Sequence, residues 1–151
     1  MERLGGDDAG QTQVSYARYH ENEPISFNHP LDLHFAEVGL QGWGAPRICL
    51  QCFRYDEFGR RILLGYGFAN LPTASGNYEN IEVALWRPLG TTDQELDAFF
   101  LGKVPALASQ ETLYTNAWRD RCKMITASAG TVTLQIHCIT RFLREQRIDN
   151  A

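Results

Sequence analysis

An all-β fold, an antiparallel β-sandwich with a single short helix, is what this sequence predicts. Three observations carry the prediction. Two apolar runs, residues 48–53 and 62–68, flank a polar, glycine-bearing tip (Arg54, Tyr55, Asp56, Glu57, Phe58, Gly59, Arg60), the pattern of a β-hairpin. Other runs alternate apolar and polar residues with the period of two that a half-buried strand requires, most clearly Val132, Leu134, Ile136 and Cys138 against Thr131, Thr133, Gln135 and His137. Only one internal stretch carries strong helix signals, so the pattern amounts to roughly six to eight short strands and one helix.

Residues 1–25 are rich in glycine and acidic residues and hold no sustained period, so they are expected to be mostly a flexible lead-in, with Val14 and Tyr16 hinting at a short strand. The folded part is expected over 26–144 and a tail over 145–151. From Pro30, Leu31, Leu33 and Phe35 alternate with Asp32, His34 and Ala36, which predicts a strand. Gly39, Gly42 and Gly44 around Trp43 then predict a turn-rich loop. In the run 48–53 both faces are apolar, which predicts a central strand. Gly65 and Gly67 share one face of the next strand and predict a bulge or a close backbone approach.

Ser75, Gly76 and Asn77 predict a turn, and residues 81–86 a strand stopped by Pro88. Thr92 and Glu95 have the spacing of a capping box, with Leu96, Phe99 and Phe100 on one helix face and Gly102 as the stop. Residues 104–110 read as loop and 112–114 as a short strand. Residues 121–126 read as another strand, turned at Ala129 and Gly130 into the last one. Arg141 to Arg147 close the chain as a short basic helix.

A length of 151 residues suits one domain with one core. No apolar run approaches the roughly 18 residues that span a bilayer. The net charge of −4 and the lack of a basic stripe count against nucleic acid as a partner. No secretory or transit pattern opens the sequence, so a cytoplasmic address is expected.

Candidate chemistry is sparse. Cys49 and Cys52 form a C-x-x-C, but three residues apart on a strand they point to opposite faces and cannot converge on one metal or easily form one disulfide. With Cys122 and Cys138 they read as small buried thiols. His20, His29 and His34 lack the spacing of a metal cluster. No nucleophile elbow, phosphate loop or zinc-protease motif occurs, so no enzyme activity and no cofactor is expected. Asp56 and Glu57 are of the same type as the loop-tip acids that hold calcium in C2 sandwiches, yet Arg60 and Arg61 bring positive charge to the same tip and argue against a cation there.

Several motifs in one order carry a family resemblance: His29, Pro30, Leu31, Asp32, Leu33, His34 and Phe35; Gly39, Leu40, Gln41, Gly42 and Trp43; Asp56, Phe58, Gly59 and Arg60; Gly65, Tyr66, Gly67 and Phe68; and Trp86, Arg87, Pro88, Leu89 and Gly90. Together they resemble the B9 domain, with weaker similarity upstream at residues 10–14 and downstream at 130–132. The resemblance implies a C2-like sandwich lacking the family's first N-terminal strand, which would leave an unpaired edge open to self-association. It also implies a non-enzymatic scaffold in the tectonic-like (Meckel syndrome) complex, at the ciliary basal body and transition zone and its cytoskeleton. There it would support a membrane diffusion barrier, ciliogenesis and Hedgehog signalling. The implied partners are other B9-domain proteins and members of that complex. Trp43, Arg54, Tyr55, Phe58, Arg60 and Arg61 are the candidate contacts with a partner or with an anionic membrane surface, the latter as a calcium-independent lipid-binding alternative.

Overall fold

The hairpin predicted from the two apolar runs is present and longer than its apolar part. In the computed structural model, which describes residues 2–6, 9–17, 24–36, 46–109 and 123–141, two antiparallel strands, β3 (Arg47–Tyr55) and β4 (Arg61–Asn70), pair from Arg47↔Asn70 to Tyr55↔Arg61. Earlier in the chain, β1 (Glu2–Gly5) pairs with β2 (His34–Ala36) as a two-stranded antiparallel sheet. Two further strands, β5 (Gly76–Pro88) and β6 (Thr126–Cys138), flank the helix α1 (Thr92–Leu101) in sequence. The described fold is therefore all-β and antiparallel with one short helix, in keeping with a C2-like sandwich.

Residues 1–44 and 45–151 form separate compact units, the first holding β1 and β2 and the second the four-stranded sheet β3-β4-β5-β6. In the first unit, β1 is a strand that the sequence pattern does not single out. The strand expected from Leu31 is confined to His34–Ala36. Val14 and Tyr16 form no strand; the segment is held instead by side chains, with Gln13 donating to the Phe27 carbonyl, Ser15 to the Ser26 carbonyl (2.7 Å), and His29 Nδ1 lying 3.2 Å from Gln13 Oε1.

In the second unit, β3 is not central among the described strands. Among the described residues it pairs only with β4 and lies at the sheet edge, and none of its side chains is fully buried. The apolar character of both faces thus reflects partial cover on each side, not a place in the middle of the sheet.

Both expectations for Gly65 and Gly67 hold. The β3–β4 register slips between Cys52 and Phe53, leaving Leu64 as an extra residue on β4. A Cβ on Gly65 would lie 2.9 Å from Ala129 Cβ and 3.0 Å from the Trp86 carbonyl oxygen; on Gly67 it would lie 2.8 Å from Leu85 Cδ2 and 3.0 Å from Val83 Cγ1. The glycine face of β4 therefore receives Val83 and Leu85 of β5 at Gly67 and, at Gly65, Ala129 of β6. Backbone register joins these two strands only at Tyr66↔Trp86. The core sits at this joint: Ile62, Tyr66, Val83, Leu85 and Trp86 are buried, Val83 to 1% exposure. The Tyr66 and Trp86 rings tilt against each other with centroids 5.7 Å apart, and the Tyr66 hydroxyl accepts from the Leu107 amide (3.2 Å), so its polar end is satisfied.

The β5–β6 ribbon beside this core is interrupted by two irregularities. Between Leu85↔Gly130 and Trp86↔Ser128 the register shifts by one residue, with Ala129 unopposed on β6 and Gly130 at φ 121°, a backbone conformation that favours glycine. Leu85 and Trp86 still alternate, Leu85 reaching Gly67 and Trp86 meeting Tyr66 on the other face of β4, and both are buried. The turn expected at Ala129 and Gly130 is thus a bulge inside one continuous strand, Thr126–Cys138. A second irregularity between Tyr78 and Ile81 places Asn80 at φ 61°. The strand β5 begins at Gly76, so of the turn expected at Ser75, Gly76 and Asn77 only Ser75 precedes it. Ser75 Oγ accepts from the Thr140 amide (3.0 Å) and pairs with its hydroxyl, tying the two ends of the ribbon.

The helix α1 forms where expected, but its cap is one residue earlier than the sequence suggested. Thr91 is the N-cap, its hydroxyl accepting from the Gln94 amide while the Gln94 side chain accepts from the Thr91 amide. Glu95 is thereby free to bond elsewhere. Its carboxylate takes two parallel bonds from the Arg87 guanidinium (3.0 and 3.2 Å) and one from the Gly90 amide, clamping α1 to the end of β5. Gly102, at φ 70°, closes the helix with its amide bonded to the Ala98 carbonyl. Trp43 with its glycine-rich loop, Cys122, the strand expected at 112–114 and all but Arg141 of the basic C-terminal helix lie outside the described residues.

Candidate docking surface at the hairpin tip

The tip between β3 and β4 is a turn built by one carboxylate. Asp56 Oδ1 accepts from the amides of Phe58 (2.9 Å) and Arg60 (2.8 Å), Oδ2 accepts from Arg60 Nε (2.6 Å), and the Asp56 amide donates to the Arg60 carbonyl (3.0 Å). Gly59 supplies the positive φ of 73° that lets the chain return. Burial pushes the Asp56 carboxyl up, but the donors of Arg60 and Phe58 outweigh it and hold the group below the usual carboxylate range. This carboxylate is committed to the turn, with an arginine in the position a cation would take.

Arg60 has a second role. Its Nη1 donates to the Leu101 carbonyl (3.1 Å), one of the orphan acceptors at the end of α1, and its guanidinium lies 5.2 Å from the Phe58 ring centroid. The last turn of α1 contains no basic residue of its own, so the hairpin supplies the positive charge that favours a helix C-terminus. Only that vacancy in the helix sequence hinted at the contact.

The remaining candidates separate by strand parity. Tyr55 and Arg61 are cross-strand partners on the face shared with Phe53, and the Arg61 guanidinium lies 4.5 Å from the Phe53 ring centroid. Arg54 is exposed on the opposite face, paired across to the buried Ile62. Phe58 is 81% exposed at the apex. The structure therefore brings Tyr55, Phe58, Arg60 and Arg61 together with Phe53, sets Arg54 behind them, and does not describe Trp43. Phe53 and Leu101 were not among the residues suggested by the sequence.

Among the described residues the cysteines do not converge on one another or on other ligand types. Cys49 and Cys52 are unbonded and half-buried; burial pushes both thiols up, with the Arg47 charge partly offsetting this at Cys49. Among the described residues no cluster of His, Cys, Asp and Glu has the geometry of a metal site.

A family model described as "Ciliary basal body-associated, B9 protein" matches residues 2–139. The chain belongs to the B9 family. That match encloses every element from β1 to β6, the hairpin tip and α1 included. Among curated B9 relatives, B9 domain-containing protein 2 of Homo sapiens is 41% identical over 138 residues, which covers 91% of this chain and 75% of that protein. The Xenopus laevis protein of the same name is 36% identical over 149 residues, or 98% of this chain and 80% of that protein. B9 domain-containing protein 1 of Homo sapiens is 24% identical over 145 residues, 95% and 69% of the respective lengths. No solved structure matches. The chain is thus a ciliary B9 protein, and its exposed aromatic and arginine tip lies inside the matched domain.

Proposed function

We propose that this B9 protein is a non-enzymatic scaffold subunit of the tectonic-like (Meckel syndrome) complex at the ciliary transition zone, where it contributes to the membrane diffusion barrier and to ciliogenesis. The B9 match across the whole described fold carries this reading. What supports a docking role physically is the tip, where Phe58 and Tyr55 stand exposed beside arginines held in place by Asp56 and Phe53. Rigid aromatics and arginines are the residue types that concentrate binding energy at protein interfaces. Arg54, Tyr55, Phe58, Arg60 and Arg61, with Trp43, are the proposed contacts, and the partners are other B9-domain proteins.

Co-expression with the two other B9-domain proteins of the complex, one of them tagged, tests this. Recovery of the three together is expected, and their failure to co-purify overturns complex membership. A second reading, calcium-independent contact with anionic lipid, is favoured by Arg54 and Arg61 lying exposed around the apical Phe58. Co-sedimentation with phosphatidylserine vesicles at low salt decides it, since no binding there removes the lipid reading.

A further inference from the structure

The helix α1 has its amphipathic faces reversed. Leu96, Phe99 and Phe100, at the i, i+3, i+4 spacing of one face, are all exposed, Phe99 to 82% and Phe100 to 71%, whereas the partly covered residues are Glu95 and Ala98. The inward face is fixed by the Glu95–Arg87 clamp, so the apolar stripe has nowhere to turn but outward. The two phenylalanine rings stack edge to face, with centroids 5.0 Å apart, as a preformed apolar platform. Two carboxylates border it, Asp93 three residues before Leu96 and Asp97 three before Phe100, both exposed. Glu95 is neutralised by Arg87, which leaves these two to set the local sign.

At the other end of the same surface the sign is opposite. The hydrogen bond from Arg60 to Leu101 brings the hairpin tip against the C-terminal end of α1, where Gly102 lies over Ile62. On that side the tip carries exposed Arg54, the cross-strand partner of Ile62, and the apical Phe58, with exposed Lys103 just past the helix, while Arg61 stands on the opposite face of the hairpin. Asp56 is consumed within the turn, and among the described residues of the tip Glu57 is the one opposing exposed charge. One continuous face therefore runs from an acidic, apolar helix to a basic, aromatic tip.

We propose that this face is a self-association surface, in which a second copy of the chain docks about a two-fold axis. The basic tip of each copy then meets the acidic border of the other's α1, with Phe58, Leu96, Phe99 and Phe100 forming the apolar centre. A surface with adjacent patches of opposite sign is complementary to itself under such a rotation, because every tip-to-helix contact occurs twice. Asp93 and Asp97 also oppose seating of this stripe on an anionic membrane, which favours protein over lipid as its cover.

Sedimentation velocity of the purified full chain, from micromolar to submillimolar concentration, tests this without any partner and so independently of complex membership. The expected result is a monomer–dimer equilibrium that weakens with added salt. Replacing Phe99→Ser together with Phe100→Ser is expected to weaken it by about tenfold or more. At a concentration where the unaltered chain is monomeric, the thermal midpoint should stay unchanged, since both rings are solvent-exposed. Two charge variants give the sharper result. Asp93→Lys with Asp97→Lys makes the face wholly basic, Arg54→Glu with Lys103→Glu makes it acidic, and each alone is expected to remain monomeric while their equimolar mixture forms a heterodimer. A chain that stays monomeric throughout, or a dimer indifferent to the phenylalanine pair, overturns the proposal. So does binding to phosphatidylcholine–phosphatidylserine vesicles that the phenylalanine pair abolishes, because lipid would then be the occupant.

Discussion

Replacing Gly65 by alanine adds one methyl group at the point where β4 meets β5. That methyl would lie 2.9 Å from Ala129 Cβ and 3.0 Å from the Trp86 carbonyl oxygen, both closer than van der Waals contact. The Ala129 methyl belongs to the bulge and the Trp86 carbonyl to the backbone at the only registered β4–β5 pair, so neither can retreat as the end of a long side chain would. Overpacking of this kind costs about 1–3 kcal/mol. Against it, alanine lowers the entropy of the unfolded chain by about 0.4–1 kcal/mol relative to glycine. The difference leaves a net destabilisation of about 1–2 kcal/mol, which for a domain of this size lowers Tm by roughly 2–8 °C. Urea unfolding followed by tryptophan fluorescence measures it, with the midpoint expected to fall at constant m-value. Adding Ala129→Gly removes one of the two clashes, so the double variant should recover part of the loss and yield a coupling energy of about 0.5 kcal/mol or more. Gly67→Ala should cost less, because its two nearest neighbours, Leu85 Cδ2 and Val83 Cγ1, are side-chain ends. An unchanged midpoint for Gly65→Ala, or strict additivity with Ala129→Gly, would refute the close approach as the reason for glycine here.

Acid should unfold the protein through Glu95 and Asp56. The Arg87 side chain, then the Gly90 amide, hold the Glu95 carboxyl low, and the Arg60 and Phe58 donors hold Asp56 low against its burial. A carboxyl depressed in the folded state stabilises above its unfolded pKa, so stability should be level near neutral pH and fall as pH drops below about 4–5; Glu95→Gln should flatten that fall in a pH series of urea midpoints. Cys49 and Cys52 should react slowly with a disulfide reagent at pH 8 in the native protein and at the free-thiol rate in denaturant, since burial raises both thiols. Gly102→Ala should destabilise by about 1–2 kcal/mol, because its φ of 70° disfavours a Cβ that would also press on Ile62 Cδ1 at 3.3 Å; calorimetry reads this as a lower Tm.

The hairpin, the glycine approach and the helix were legible because each depends on local rules: turn residues between apolar runs, missing Cβ atoms in a strand, and glycine after a capped periodic segment. What sequence could not show depended on register. Alternation assigns Leu85 and Trp86 to opposite faces, as the structure has them, but it cannot say that both are covered there, nor place the bulge at Ala129. The same bulge looked like a turn because alanine followed by glycine is chemically ambiguous between the two. Thr92 and Glu95 fit the capping spacing as well as Thr91 and Gln94 do, and the choice fell to tertiary chemistry, since Arg87 claims Glu95. Strand β1 was missed because its pairing partner lies far along the chain and its own composition is polar.

At the candidate site, the exposed tip aromatics and arginines were foreseeable from a hairpin whose apex cannot be buried. That Arg60 also caps α1 was not, for the two segments are 41 residues apart in sequence. Nor could periodicity say that the apolar face of α1 points outward, because a helical wheel fixes which residues share a side and not which side faces the protein.

The joint at Tyr66 and Trp86 bears on the order in which the second unit is assembled. The β3–β4 ribbon closes across a five-residue turn, residues 56–60, whereas β5 and β6 must find each other across residues 89–125. Short closures cost little chain entropy and form in microseconds, while distant pairings wait on it. With one backbone pair between them, the two ribbons depend on Val83 and Leu85 settling against Gly67, and Ala129 against Gly65, to become one cooperative sheet. The early ribbon would then present a bare glycine track, and the late one would be recognised by the side chains that fit it.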